Sequence, residues 1–203
     1  MDELEPISRG ERTRSEIIQS ALQLFSQHGY HGTSMRQIAR QSDIALGGIY
    51  NHFESKEQIF LAVLTEAHPL YYMLPLLPAA PGDTIEEFTH AAARMMIYGI
   101  GERTDFVNLI LIELVEFKGQ HITQLFNIIF PGISELAQRF VQSQVELRPI
   151  SSLVLVRAFI GLLFSHVMIE MLVARHFPPE LGQDVLDQIV DIFLHGILVE
   201  THL

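Results

Sequence analysis

The sequence predicts an all-α protein, on three observations. Apolar residues recur at helical spacing through nearly every segment, and no stretch alternates polar and apolar residues as a half-buried strand would. Gly and Pro interrupt the pattern where helices would end. The expected architecture is a small N-terminal head of three helices on a larger C-terminal helical bundle.

In chain order, a first helix is expected over about 12–28, with Ile17, Ala21, Leu24 and Phe25 on one face and Gly29 as its stop. A second, about 34–41, follows Thr33 as N-cap and turns Met35, Ile38 and Ala39 inward. A third, about 45–51, offers Ile49 and Phe53 to the same core. A fourth, about 55–68, opens on Ser55-Lys-Glu-Gln58, the spacing of a capping box. The Pro-rich stretch Pro69–Gly82 is too irregular for one helix and is expected to be a hinge. Thr84-x-x-Glu87 then opens a helix to about Gly101. Further helices are expected over about 104–118, 121–129, 131–147, 150–176 and 182–200, with Pro131 in an N-terminal turn and Pro149 and Pro178-Pro179 marking breaks. The domains follow: 9–56 as head, 55–68 as connector, 69–203 as body.

The chain has 203 residues, enough for a sizeable core, and no Cys or Trp. That excludes a disulfide framework and thiolate-bound zinc, and it suits a reducing cytoplasm, where the protein is expected to reside. The acidic, polar start lacks the layout of a signal peptide. Leu153–Ala174 is apolar enough to suggest a membrane span, but Arg157, His166 and Glu170 interrupt it, so a buried helix of a soluble protein is expected. Net charge is −11, the opposite sign to that expected of a nucleic-acid binder. Yet residues 9–56 hold six cations (Arg9, Arg12, Arg14, Arg36, Arg40, Lys56) against four anions, net +2, leaving −13 elsewhere. Screening confines fields to roughly 8–10 Å, so a locally positive head can meet phosphate although the body is acidic.

The informative stretch is Thr33–Lys56, TSMRQIARQSDIALGGIYNHFESK. A short helix, a tight turn and a second helix make a helix-turn-helix, which lays its second helix in the major groove. Gly47 and Gly48 strip bulk from that helix and let a partner come close. The pattern Phe25-x-x-x-Gly29-Tyr30, Thr33-Ser34-x-x-x-Ile38-Ala39, Gly47-x-Ile49-Tyr50-x-His52-Phe53 and Ser55-Lys56-Glu57-x-Ile59 resembles the TetR family of repressors over about residues 12–66. Two departures stand out: Asp43 replaces the usual turn glycine, and Leu46 replaces a common cation or Pro.

The resemblance implies a head that binds a pseudo-palindromic operator in double-stranded DNA. Thr33, Ser34 and Arg36 would meet phosphate or base edges, and Ala45, Leu46, Gly47, Gly48, Tyr50 and Asn51 would face the groove. Tyr50, His52 and Lys56 would grip phosphates, with Arg9, Arg12 and Arg14 tracking the backbone nearby. Taken alone, Tyr50 suits a core aromatic and His52 a surface histidine; the joint spacing of about ten positions favours contact.

For the body, the resemblance implies a cavity for a small apolar effector. Met73, Phe88, Met95, Tyr98, Phe106, Ile110, Phe117, Phe126 and Phe130 are candidate lining residues, since Met and Phe suit an adaptable pocket. For each, plain packing is the competing account. Glu113, in an apolar run, is expected to face solvent; turned inward, it would set ligand polarity or pair with a cation. His166 and Glu170 lie one turn apart and suit an interface hydrogen bond before an effector contact; no metal site and no cofactor are expected. Ala158, Gly161 and Ser165 form a small-residue stripe, matched by Val185, Ile189, Phe193 and Gly196 on the last helix. Paired across a two-fold axis, these faces would make the family's homodimer. The implied function is a ligand-responsive regulator, a repressor released by its effector. An activator, an effector-independent regulator, or a helical hydrophobe binder without DNA affinity are the alternatives. No nucleophile elbow, metalloprotease motif or phosphate-binding loop supports an enzyme.

Overall fold

The computed structural model describes residues 8–66, 69–100, 105–142, 147–173 and 185–197; the Phe106 side chain and the Pro178-Pro179 break lie outside the described residues. Ten α-helices are described: α1 Arg9–His28, α2 Met35–Gln41, α3 Leu46–Tyr50, α4 Lys56–Glu66, α5 Pro69–Met73, α6 Ile85–Ile100, α7 Asp105–Val115, α8 Ile122–Val141, α9 Ser152–Val173 and α10 Val185–Ile197. Among the described residues there is no strand.

Packing divides the chain into two compact units, and sequence order does not respect the division. The first comprises residues 1–68 with 104–126, the second 69–103 with 127–203. Helix α7 and the start of α8 therefore pack with the head rather than the body. In the first unit, α1 packs on α2, α4 and α7, and α2 packs on α3. Ile17, Phe25, Ile38, Ile49, Ile59, Phe60 and Val63 are wholly buried there. Each such side chain contributes about 1.5–3 kcal/mol by leaving water. Helix α1 starts earlier than its apolar spacing suggests because Ser8 and Glu11 form a reciprocal capping box. It ends at Gly29, whose φ of 70° suits glycine.

In the second unit, α6 packs on α5, α9 and α10. Phe88, Phe140, Phe159 and Phe193 form an aromatic core, edge-to-face except for the tilted Phe159–Phe193 pair. Arg139 lies 4.5 Å over the Phe88 ring and donates to the Gly82 carbonyl at 3.2 Å. The His90 ring sits between two carboxylates of α10, 3.1 Å from Asp187 and 3.1 Å from Asp191, while Arg94 donates to Asp187 at 2.8 Å.

The Pro-rich stretch is not one continuous helix, as its composition predicts: it contains α5 and a 3-10 turn, Leu77–Ala79, with Met73, Leu74 and Leu77 buried. Two expectations are corrected here. The helices expected on either side of Pro131 are one helix, α8. A proline deletes one backbone bond, but burial of Leu136, Ala137 and Phe140 outweighs that loss, and Leu74 packs so closely on Gly132 that a Cβ there would lie 2.7 Å away. Helix α9 is long and apolar enough to cross a membrane, yet it is not the buried helix expected: Leu155, Val156, Phe159 and Leu163 face the core, while Leu153, Val154, Phe164 and Ile169 are exposed.

Candidate nucleic-acid interface

The helix-turn-helix is built from local signals. Ser34, not Thr33, caps α2: its hydroxyl accepts from the Gln37 amide at 3.3 Å, and the Gln37 side chain accepts from the Ser34 amide at 2.8 Å. The turn after α2 is closed by Ile44 N–H donating to Ala39 at 3.0 Å, with Asp43 at φ 53° in the position that usually suits glycine. Ile49 is wholly buried and holds α3 to the rest of the unit.

That anchoring turns the other face of α3 outward. Tyr50 is 52% exposed, Ala45, Gly47 and Asn51 are exposed, and Leu46, Gly48 and His52 are half-buried. The two glycines differ. A Cβ on Gly47 would meet nothing within 4 Å, whereas one on Gly48 would lie 2.8 Å from Ile44. Gly48 answers to internal packing, while nothing among the described residues accounts for Gly47. Ser34 and Arg36 are exposed at the start of α2. Arg9 and Arg12 line an open groove of about 770 Å³ with Thr13, Glu16, Ser42, Asp43 and Ile44.

Three expected contact residues serve the fold instead. Thr33 is 2% exposed, and its hydroxyl donates to the carbonyls of Leu24 and Gly29, at 3.2 and 2.9 Å, near the end of α1. The Lys56 ammonium donates to the carbonyls of Tyr30 and Thr33, 2.6 Å each, and lies 4.0 Å over the Tyr30 ring. Burial pushes its pKa below the ordinary lysine value, against the opposing field of Glu116. Arg14 is tied bidentately to Glu66, one bond being 2.6 Å, and lies 5.0 Å over Phe53. These cations fix α1, α2 and α4 to one another. The spacing of Lys56 matches the family motif but does not reveal where its charge goes.

The residues expected to line an effector cavity do not gather in one place. Met73 packs against Gly99, and Phe88 is wholly buried in the aromatic core. Phe117 stacks on Phe60 at 4.7 Å and meets Tyr30 at 4.6 Å. Glu113, expected at the surface, is 0% exposed and bonded to His121. Tyr98 is 83% exposed, Phe126 and Glu170 are exposed, and Met95, Ile110 and His166 are half-buried. Phe130 lines a cleft of about 460 Å³ between α8 and α9, with Ser134, Ala137, Gln138, Val141, Gln142, Ser152 and Leu153. Of the expected dimer stripe, Ala158, Gly161, Ser165 and Gly196 are exposed, and Val185 and Ile189 are half-buried. Phe193 belongs to the core, because its ring packs on Phe140 and Phe159.

The chain is similar to known proteins over its N-terminal part in sequence and over most of its length in fold. The family model described as "Bacterial regulatory proteins, tetR family" matches residues 17–63. An uncharacterized HTH-type transcriptional regulator of Bacillus subtilis, YuxN, is 32% identical over 97 residues, 48% of this chain and 33% of that protein. The HTH-type transcriptional repressor AcnR of Corynebacterium efficiens is 37% identical over 54 residues, 27% of this chain and 29% of AcnR. The chain thus spans about a third or less of these relatives. A TetR-family transcriptional regulator of Cytophaga hutchinsonii has a similar fold, with TM-score 0.69, 19% identity, and coverage of 97% of this chain and 100% of that one.

Proposed function

We propose that this chain is a DNA-binding transcriptional repressor of the TetR type, whose family model it matches over residues 17–63. The carrying observation is helix α3, anchored by Ile49 and presenting Gly47, Tyr50 and Asn51 outward. Gly47 lets the backbone approach base edges, and Tyr50 and Asn51 supply hydrogen-bonding groups there. Ser34 and Arg36 from α2, with Arg9 and Arg12 beside the turn, supply phosphate contacts. Repression is favoured by the name of a relative, the repressor AcnR.

The chain acts as a homodimer. Helix α9 leaves an apolar and small-residue face open, Val154, Ala158, Gly161 and Ser165, and Gly161 and Gly196 have free space where a Cβ would stand. An apolar face of this kind is stabilised by a second copy, and close approach needs small residues. Two recognition helices then address half-sites about 34–36 Å apart. A small apolar effector releases the operator through unequal affinity for the two states, with Phe130 and the α8–α9 cleft as its docking place.

Selection of bound duplexes from a random library by the full chain tests this proposal. Inverted repeats should be enriched, and Gly161→Glu, which places a charge on the open face, should give a monomer that loses the enrichment. Enrichment of no sequence at low salt would contradict the proposal.

A further inference from the structure

The first unit contains an acid–histidine–acid chain, buried at Glu113 and His121 and exposed at Glu57, that the DNA-contacting surface does not use. Glu113, near the end of α7, is wholly buried, and its carboxylate accepts twice from residue 121. One oxygen takes the His121 main-chain N–H at 2.6 Å, and the other faces ring Nδ1 at 2.8 Å. The ring's second nitrogen, Nε2, faces Glu57 Oε1 at 3.3 Å, and the same oxygen accepts from Gln120 at 2.9 Å. The Phe117 and Phe60 rings close over the imidazole, with centroids 4.7 and 6.1 Å away.

A neutral imidazole has one N–H and a doubly protonated one has two. A buried carboxylate must be hydrogen-bonded, so Glu113 claims Nδ1–H. Nε2 then decides the contact to Glu57: with a proton it donates to the carboxylate, and without one two lone pairs face each other. Glu57 is the second residue of α4, and its neighbour Lys56 holds the Tyr30 and Thr33 carbonyls immediately before the N-cap of α2. The start of α4 is thereby fastened to the His121 turn by one residue and to the helix-turn-helix by the next. Other charged or titratable groups around this clamp are Glu116 and Lys118 in the turn, and Tyr30 and His31 after α1. Glu116 Oε2 is buried without a hydrogen bond, 3.4 Å from His31 Nε2.

We infer that His121 is a positioning residue for the DNA-binding unit, and that its second proton clamps the turn after α7 to the start of α4. This rests on the DNA-binding function proposed above. The clamp is closed with protons on both ring nitrogens and open with Nε2 bare.

Two variants separate this role from plain packing. His121→Asn keeps a donor toward Glu113 and loses the reach to Glu57, so it mimics the open state at every pH. Glu57→Gln offers an amide N–H to a neutral Nε2, and the Gln120 amide can turn its oxygen to accept the second N–H, so it stays closed when the ring is neutral. The test is the full chain from about pH 5 to 8. Nitrogen NMR reads the His121 ring, and hydrogen exchange reads the α4 amides. A labelled duplex recovered by the selection above reads affinity. In the wild type, α4 exchange should quicken and affinity fall by about three- to tenfold as Nε2 deprotonates, the size expected for one part-exposed charged bond. Both responses should flatten in the two variants, at a weak level for His121→Asn and a strong one for Glu57→Gln, while His52→Gln should keep the α4 response. A ring with one N–H throughout, or α4 exchange with the same pH slope in His121→Asn, would overturn the clamp. A titrating clamp with unchanged relative DNA affinity would overturn the positioning role. Absence of any duplex binding would remove the proposed function, while the ring and exchange measurements would still decide the clamp.

Discussion

The Lys56 ammonium lies 2.6 Å from the carbonyl oxygen of Thr33, spending a cation of the binding motif on the backbone just before the recognition unit begins. The family motif suggests a phosphate contact, whereas the geometry makes Lys56 a brace. Replacing it with Met keeps the stem and removes the donors, leaving two carbonyls short of a partner. Hydrogen bonds to charged groups contribute about 1.5–3 kcal/mol, so Lys56→Met should lower stability in urea unfolding by a value in that range. An unchanged midpoint would return Lys56 to the phosphate role.

Gly47 and Gly48 should respond oppositely to a methyl group. Gly47→Ala has open space around it and a better helix former in place, so stability should hold or rise by up to about 1 kcal/mol while DNA affinity falls. Gly48→Ala pushes on Ile44 and should cost stability first. Thermal melts beside anisotropy titrations separate the two.

Asp43 occupies left-handed backbone, which costs an L-residue roughly 1–2 kcal/mol. Asp43→Gly should raise the melting temperature and Asp43→Ala should lower it.

The α6–α10 staple has a definite pH sign. Burial pushes the Asp187 carboxyl up, but hydrogen bonds from His90 and Arg94 outweigh it and hold the group below the ordinary carboxylate range. A depressed folded value means that its contribution is present above the unfolded value, near 3.9, and is lost as pH falls through the folded one. Acid unfolding of the full chain should therefore begin at higher pH in Asp187→Asn, and the part of the wild-type loss occurring below about pH 4 should be smaller in that variant.

What the sequence made legible is what local chemistry decides. Apolar spacing, Gly29 and the capping residues placed α1, α2 and α6 to within a few residues, and the joint spacing of Gly47, Tyr50 and Phe53 located the helix-turn-helix. What stayed hidden depends on distant partners. Thr33 reads as an N-cap until Leu24 and Gly29 are seen to take its hydroxyl. Glu113 reads as a surface acid because nothing in its helix announces His121 eight residues on. Pro131 reads as a break because its cost is local, while the packing of Leu74 on Gly132 that offsets it is not. Likewise α7 follows the body in sequence but packs with the head.

The central claim, that the outward face of α3 holds duplex DNA, is tested most directly by the salt dependence of anisotropy titrations with the selected duplex, for wild type and Tyr50→Ala. The account predicts a steep, linear loss of log affinity with log salt in the wild type, and binding weakened by at least about tenfold in the variant at the same melting temperature. Equal affinity in both proteins at every salt concentration would contradict it.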